Sequence, residues 1–356
     1  MQLLDAPSVF SAPKPTWILF NQEYIWGPSL SLSANGRQLA FFAPIQGREE
    51  DPATLQIWDT QSKKRLLSQQ QWNDTDTTWT QFLAILPKEK GVIAAVPRRL
   101  KNDVRGYCLD VAIVNLPVGG ARVKYSLPPG RGDLGVVSPD GKTVAVTCGP
   151  GVSFALHDVE TGKELRVFTG DELPAPADEY TYEQKEALRL NLTKTLAFSP
   201  DGKFVAVGTS GGWVSVWDLG QNTRVWRKKQ KESYREIQSL AFSPDSKLLA
   251  ATNVSLAVWR VADGRQVNDD KTTAHQVLFL SNQKLLLAHS KSCLGFIGYD
   301  LATGRYLNEE WLLPPRTRHE YKVNRWTLSA DGSTLAIWRI GTRNIEIWNV
   351  KDLFPR

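Results

Sequence analysis

The sequence predicts an all-β fold, a seven-bladed β-propeller of four-stranded antiparallel blades closed by an N-terminal strand in the last blade. Three observations predict it. First, one pattern recurs seven times: an apolar strand, Ser-x-Asp-Gly or a variant, then a second apolar strand. Second, each copy continues into an alternating strand with an aromatic-polar ending, a tight turn and a further short strand. Third, the apolar segment Trp17-Ile-Leu-Phe20 precedes the first copy, and no full fourth strand fits between the seventh copy and Arg356.

The first turn reads Ser-Pro-Asp-Gly-Lys at 138–142 and 199–203. It softens to Ser-Pro-Asp-Ser-Lys at 243–247, Ser-Ala-Asp-Gly-Ser at 329–333 and Ser-Ala-Asn-Gly-Arg at 33–37, with looser copies at 87–91 and 281–284. Anchored on the second strand, the copies align at Ala40, Ala94, Ala145, Ala206, Ala250, Leu287 and Ala336. The steps between these anchors are 54, 51, 61, 44, 37 and 49 residues. They scatter around the ~40–45 of a four-stranded blade, so the excess belongs to loops.

Third strands end at Trp58-Asp59, Val114-Asn115, His157-Asp158, Trp217-Asp218, Trp259-Arg260, Tyr299-Asp300 and Trp348-Asn349. Glu160-Thr-Gly-Lys163, Ala262-Asp-Gly-Arg265 and Ala302-Thr-Gly-Arg305 are the turns that follow, where glycine supplies a positive φ. Trp17–Phe20 then supplies the missing outer strand of the last blade and hides two open edges. Residues 1–15 form an N-terminal extension and 16–353 the propeller.

These residues resemble the WD-repeat (Trp-Asp repeat) β-propeller family, in the bacterial form with Ser-Pro-Asp-Gly repeats. The resemblance covers about 16–353 and rests on the Trp-Asp pairs at 58–59 and 217–218 and on seven in-register copies. No Gly-His dipeptide occurs. Gly211 and Thr342 stand where the family usually has Asp before the third strand, so its buried Asp-His-Ser/Thr-Trp network is not expected in blades four and seven. The resemblance implies a scaffold that binds other proteins.

In a blade of this order the Asp-Gly and Thr-Gly turns share one face. The second-to-third-strand loops and the blade connections share the other. All the long segments (42–54, 68–80, 96–107, 169–193 and 309–323) map to that second face, and long loops in compact domains are commonly functional. They are charged in blocks of both signs. Arg98, Arg99, Lys101 and Arg105 oppose Asp103, and the strand-to-loop stretch 224–235 is basic. Segment 169–193 is acidic through Asp171, Glu172, Asp178, Glu179, Glu183 and Glu186. Mixed signs suit a protein partner better than a polyanion. Residues 179–190 read as a short helix.

Among the 13 Trp, Trp58, Trp217, Trp259 and Trp348 end third strands and read as core between blades. Trp26, Trp213, Trp311 and Trp338 fall in or beside loops of the elaborated face, joined by Arg316, Arg318, Tyr321, Arg339 and Arg343. Trp, Tyr and Arg are the types enriched in interface hot spots. The candidate partner-binding set is therefore Trp26, Arg98, Arg99, Arg105, Trp213, Trp311, Arg316, Arg318, Tyr321, Trp338, Arg339 and Arg343. Those around the junction of blades seven and one are expected to be adjacent and partly exposed.

Catalytic patterns are lacking. The histidines at 157, 275, 289 and 319 read as lying in different blades, without metal-ligand spacing. Cys108, Cys148 and Cys293 are widely spaced within or beside strands and read as small buried thiols. No catalytic residue, cofactor or metal is expected. Pro13 and Pro15 interrupt the N-terminus, so no signal peptide is expected, and no apolar run reaches a membrane span. A net charge of +6 permits a nucleic-acid partner without arguing for one. The expected protein is a cytoplasmic, monomeric, non-catalytic scaffold or adaptor that binds a protein or peptide on the elaborated face. The rival readings are a lactonase-like propeller hydrolase, marked by acids and histidines at the channel mouth, and RNA binding through the basic loops.

Overall fold

The computed structural model describes residues 15–20, 29–44, 53–70, 82–99, 107–116, 121–127, 131–148, 154–170, 181, 190–230, 236–253, 255–268, 272, 274–289, 295–307, 323–339 and 344–353. These form seven antiparallel sheets, one per repeat. Blade four is representative: Thr193–Phe198, Phe204–Thr209, Trp213–Asp218 and Thr223–Lys229 pair in sequence order from the inner to the outer strand. Seven buried apolar clusters fill the space between successive blades, one at each junction.

Register follows the repeat with one correction. Ala40, Ala145, Ala206, Ala250 and Ala336 are all fully buried and occupy one equivalent site. Each lies opposite the third-strand residue two before the strand's polar end: Ile57, Leu156, Val216, Val258 and Ile347. In blades two and six the equivalent residues are Ile93, opposite Ile113, and Leu286, opposite Gly298. The anchors Ala94 and Leu287 are one residue late. A slip of one reverses the face a side chain presents, and Leu287 indeed packs back toward blade five while Leu286 packs toward blade seven.

The Ser-x-Asp turn is a small hydrogen-bonded unit, which explains its recurrence. In blade three Ser138 Oγ donates to Asp140 Oδ1 at 2.6 Å, and that oxygen also accepts from Lys142 N at 3.0 Å. Ser138 Oγ in turn accepts from Thr143 N at 3.0 Å. Ser199–Asp201, Ser243–Asp245, Ser329–Asp331 and Ser33–Asn35 repeat the arrangement. Gly141 and Gly202 take the left-handed φ the turn requires, +73° and +72°. Ser246 adopts it without being glycine.

The polar residue ending the third strand has the same kind of task on the neighbouring turn. Asp158 Oδ1 accepts from Glu160 N and Thr161 N, and Asp59 Oδ1 from Gln61 N and Ser62 N. This is the Asx-type turn that favours Asp over apolar residues at that position.

The closing strand forms as the sequence predicts. Trp17–Phe20 pairs antiparallel with Asn344–Asn349, and Trp17 faces Ile347. Leu19 is buried with Leu39, Phe41 and Ile345 in the cluster between blades seven and one.

Blade five departs from four strands. Ser239–Phe242, Leu248–Thr252 and Leu256–Arg260 form a three-stranded sheet, followed among the described residues by an isolated bridge from Trp259 to Gln266. The buried side chain of Asn268 takes over part of the missing ladder. Its Oδ1 accepts from Val258 N at 2.6 Å, and its Nδ2 donates to Leu256 O at 3.3 Å. Val267 N, Thr272 O and Arg265 O satisfy further edge groups.

Candidate interaction surfaces

Trp213 opens the third strand of blade four at the face of the second-to-third-strand loops. Thr209 and Gly211-Gly212 set it there, because Trp213 N donates to Thr209 Oγ1 at 3.2 Å across the tight turn. Lys229 of the outer strand is its partner in register, and Arg227 lies opposite Ser215 on the same sheet face. Both cations fold over the indole: the Arg227 guanidinium is 4.1 Å from the ring centre and Lys229 Nζ is 5.7 Å away. Such stacking is attractive through the ring quadrupole and desolvates the guanidinium. Burial lowers the Arg227 pKa, and its Nη2 donates to Asn191 Oδ1 at 2.8 Å. The half-buried Trp213 ring is thus held at the rim with fixed positive charge beside it.

The remaining candidates divide. Trp338 is a correction: it is 3% exposed and belongs to the apolar cluster between blades seven and one. Trp338 lies two residues beyond Ala336 within the strand Thr334–Arg339, so alternation returns it to the face Ala336 presents. Arg339 ends that strand opposite Val323, with its side chain outside the described residues. Arg98 and Arg99 are not in a loop. The strands Gly91–Arg99 and Tyr107–Asn115 extend into a hairpin in which they pair with Cys108 and Tyr107. Trp26, Arg105, Trp311, Arg316, Arg318, Tyr321 and Arg343 lie outside the described residues, as do most of the long loops and most of 179–190.

The basic strand-to-loop stretch 224–235 begins as the outer strand Thr223–Lys229, and Arg224 stacks on Trp217 at 5.6 Å. One further expectation changes. His275 and His289 belong to one blade, since His275 N donates to Ala288 O at 2.8 Å. Trp217, Trp259 and Trp348 are buried between blades as expected, whereas Trp58 is half-buried.

At the opposite face the central channel opens as a cavity of about 880 Å³. Inner-strand residues such as Phe82, Val136, Phe198 and Leu278 line it. Asp331 is its one ionisable lining residue among those described. No group of three or more His, Cys, Asp or Glu with metal-binding geometry occurs among the described residues. The alternation of Arg227 and Lys229 is visible in the sequence, but the cross-strand register is what sets both beside Trp213. The channel mouth is not visible there, because it depends on how seven inner strands meet.

Comparison with a solved structure decides the architecture. The crystal structure of the mitotic checkpoint complex contains a chain that matches with a TM-score of 0.67 at 15% identity, over 98% of both chains. The chain is a seven-bladed β-propeller. Sequence similarity is local. A family model described as photosynthesis system II assembly factor YCF48 matches residues 177–284. The photosystem II assembly lipoprotein Ycf48 of Nostoc sp. is 32% identical over 78 residues, 22% of this chain and 19% of that protein. The WD repeat-containing protein SL1-17 of Schistosoma mansoni is 30% identical over 167 residues, 38% of this propeller and 53% of its own length. The SEC12-like protein 1 of Arabidopsis thaliana is 33% identical over 130 residues, 35% of this chain and 31% of its own. The propeller therefore spans between a fifth and about a half of these relatives.

Proposed function

We propose that this propeller is a non-catalytic, cytoplasmic scaffold of the WD-repeat kind that acts as a monomer. It binds a protein or peptide on the face carrying the second-to-third-strand and blade-connecting loops. The observation that carries this reading is the Trp213–Arg227–Lys229 cluster. A rigid aromatic with pre-positioned cations is the composition of an interface hot spot, and the ring fixes it at little entropic cost. In blade two the paired strands Gly91–Arg99 and Tyr107–Asn115 extend toward the same face. Among the described residues, the channel mouth is lined mainly by apolar side chains, with Asp331 its one ionisable residue, which favours binding over the hydrolase reading.

The stretch similar to the photosystem II assembly factor model, 177–284, contains Trp213, Arg227 and Lys229. This supports a partner that is itself a protein being assembled into a larger complex. The test is recovery of partners from the native cell with the wild-type chain and with W213A/R227A as baits. The reading expects a protein that the wild type retains and the variant loses, and that binds the purified wild-type chain directly. Identical recoveries with both baits would overturn it.

A further inference from the structure

The trimmed face carries a second candidate surface, independent of the reading above. The channel mouth and a groove of about 510 Å³ between blades three and four share Pro139, Phe198 and Pro200, so they form one cleft. Leu156 and Leu219 floor its outer arm. Its ionisable lining residues, among those described, are all acidic: Asp331 at the mouth, Asp140 and Asp201 in the groove. Lys142 and Lys203 are exposed beside those turns but line neither part. Burial works against the Asp140 and Asp201 carboxylates. Hydrogen bonds from Ser138 and Ser199, from the backbone of Lys142 and Lys203, and the lysine charges outweigh it and keep both below the ordinary carboxyl range. An apolar cavity continuous with two fixed carboxylates has one complement: an apolar side chain with a cation next to it.

We propose that this cleft binds an extended segment of a protein partner in which a leucine-like or aromatic residue adjoins a lysine or arginine. The apolar side chain enters the channel mouth, and the cation lies over Asp140 and Asp201. The net charge of +6 argues that such binding is local, because the molecule as a whole repels a cationic peptide.

Blade one supplies the control. Asn35 occupies the position of Asp140 and Asp201, with the same bonds from Ser33 Oγ and Arg37 N. D140N/D201N therefore removes charge and keeps the turns. The probe is a capped nine-residue peptide alternating leucine and arginine, titrated by fluorescence anisotropy against the full chain. The wild type binds it at least about fivefold more tightly than D140N/D201N, the scale of two exposed charge contacts. Replacing each leucine by serine weakens binding by at least about as much. Equal affinity for wild type and D140N/D201N, equal binding of the serine peptide, or no binding at about 1 mM peptide overturns the proposal. Because W213A/R227A leaves this cleft intact, failure here and failure of the scaffold reading are separable.

Discussion

Ser246 Oγ accepts a hydrogen bond from the backbone N of Asp201 at 3.1 Å, tying the turn of blade four to that of blade five. Ser246 does this at φ +60°, in the conformation that glycine takes in the equivalent turns. The sequence Ser-Pro-Asp-Ser thus exchanges backbone ease for an inter-blade contact. S246A keeps the strained backbone and loses the bond, which costs about 1 kcal/mol. S246G loses the bond but relieves strain of similar size. Chemical denaturation is expected to rank S246A below S246G, with S246G close to wild type. S246A as stable as wild type would show that the bond contributes nothing, and S246G below S246A would show that the backbone is not strained.

The closing strand is the ring's one non-consecutive pairing among the described residues. Leu19 is 4% exposed inside the cluster that joins blades seven and one. Leu19→Ala is expected to lower stability by about 2–4 kcal/mol, as for other buried leucines. Removal of residues 1–22 exposes the Asn344–Asn349 edge as well and is expected to lower the melting temperature further. A truncated chain that melts with wild type would refute the latch.

In blade five a side chain replaces a strand, and its removal leaves Val258 N without its acceptor. Asn268→Leu is expected to destabilise by about 1–3 kcal/mol despite the added apolar surface, because an unsatisfied buried N–H bears its full desolvation cost. Hydrogen exchange at Val258 gives a local check: the amide should lose protection in the variant and keep it in wild type.

The turn aspartates set an acid limit. Asp59, Asp158, Asp140, Asp201 and Asp331 all lie below the ordinary value of 3.8. For Asp158 the hydrogen bonds from Thr161 come first. For Asp140, Asp201 and Asp331 burial opposes the shift, and the Ser hydroxyl and backbone donors prevail. A carboxyl with a depressed folded pKa contributes stability that is present above its unfolded pKa and is lost as pH falls through the folded one. Stability should therefore be flat near neutrality and fall below about pH 4. D140N/D201N/D331N should flatten that fall, and an unchanged acid profile would contradict the assignment.

Much of this fold was legible because the repeat encodes local chemistry. Ser138 and Asp140 are needed in fixed spacing by one turn, and Asp158 by the next, so the turns announce themselves. Blade number and the latch followed from counting strands. The misreadings came where the motif weakens. Blades two and six lack the Ser-x-Asp unit, so Ala94 and Leu287 slipped by one. Trp338 was read at a loop boundary, although two more residues of strand alternation bury it. Asn268 belongs to no repeat motif, so its bonds to Val258 N and Leu256 O become visible only in the structure. The Trp213 cluster was half visible: the indole was singled out, but cross-strand pairing was needed to bring Arg227 over it.

The account stands most directly on Trp213. Isothermal titration of the purified protein partner should show Trp213→Ala weakened by about 2 kcal/mol or more, roughly thirtyfold, as hot-spot truncations are. Lys163→Ala, on the opposite face, should leave the affinity unchanged. A partner that binds the Trp213→Ala chain as tightly as wild type would contradict the claim that this face is the binding surface.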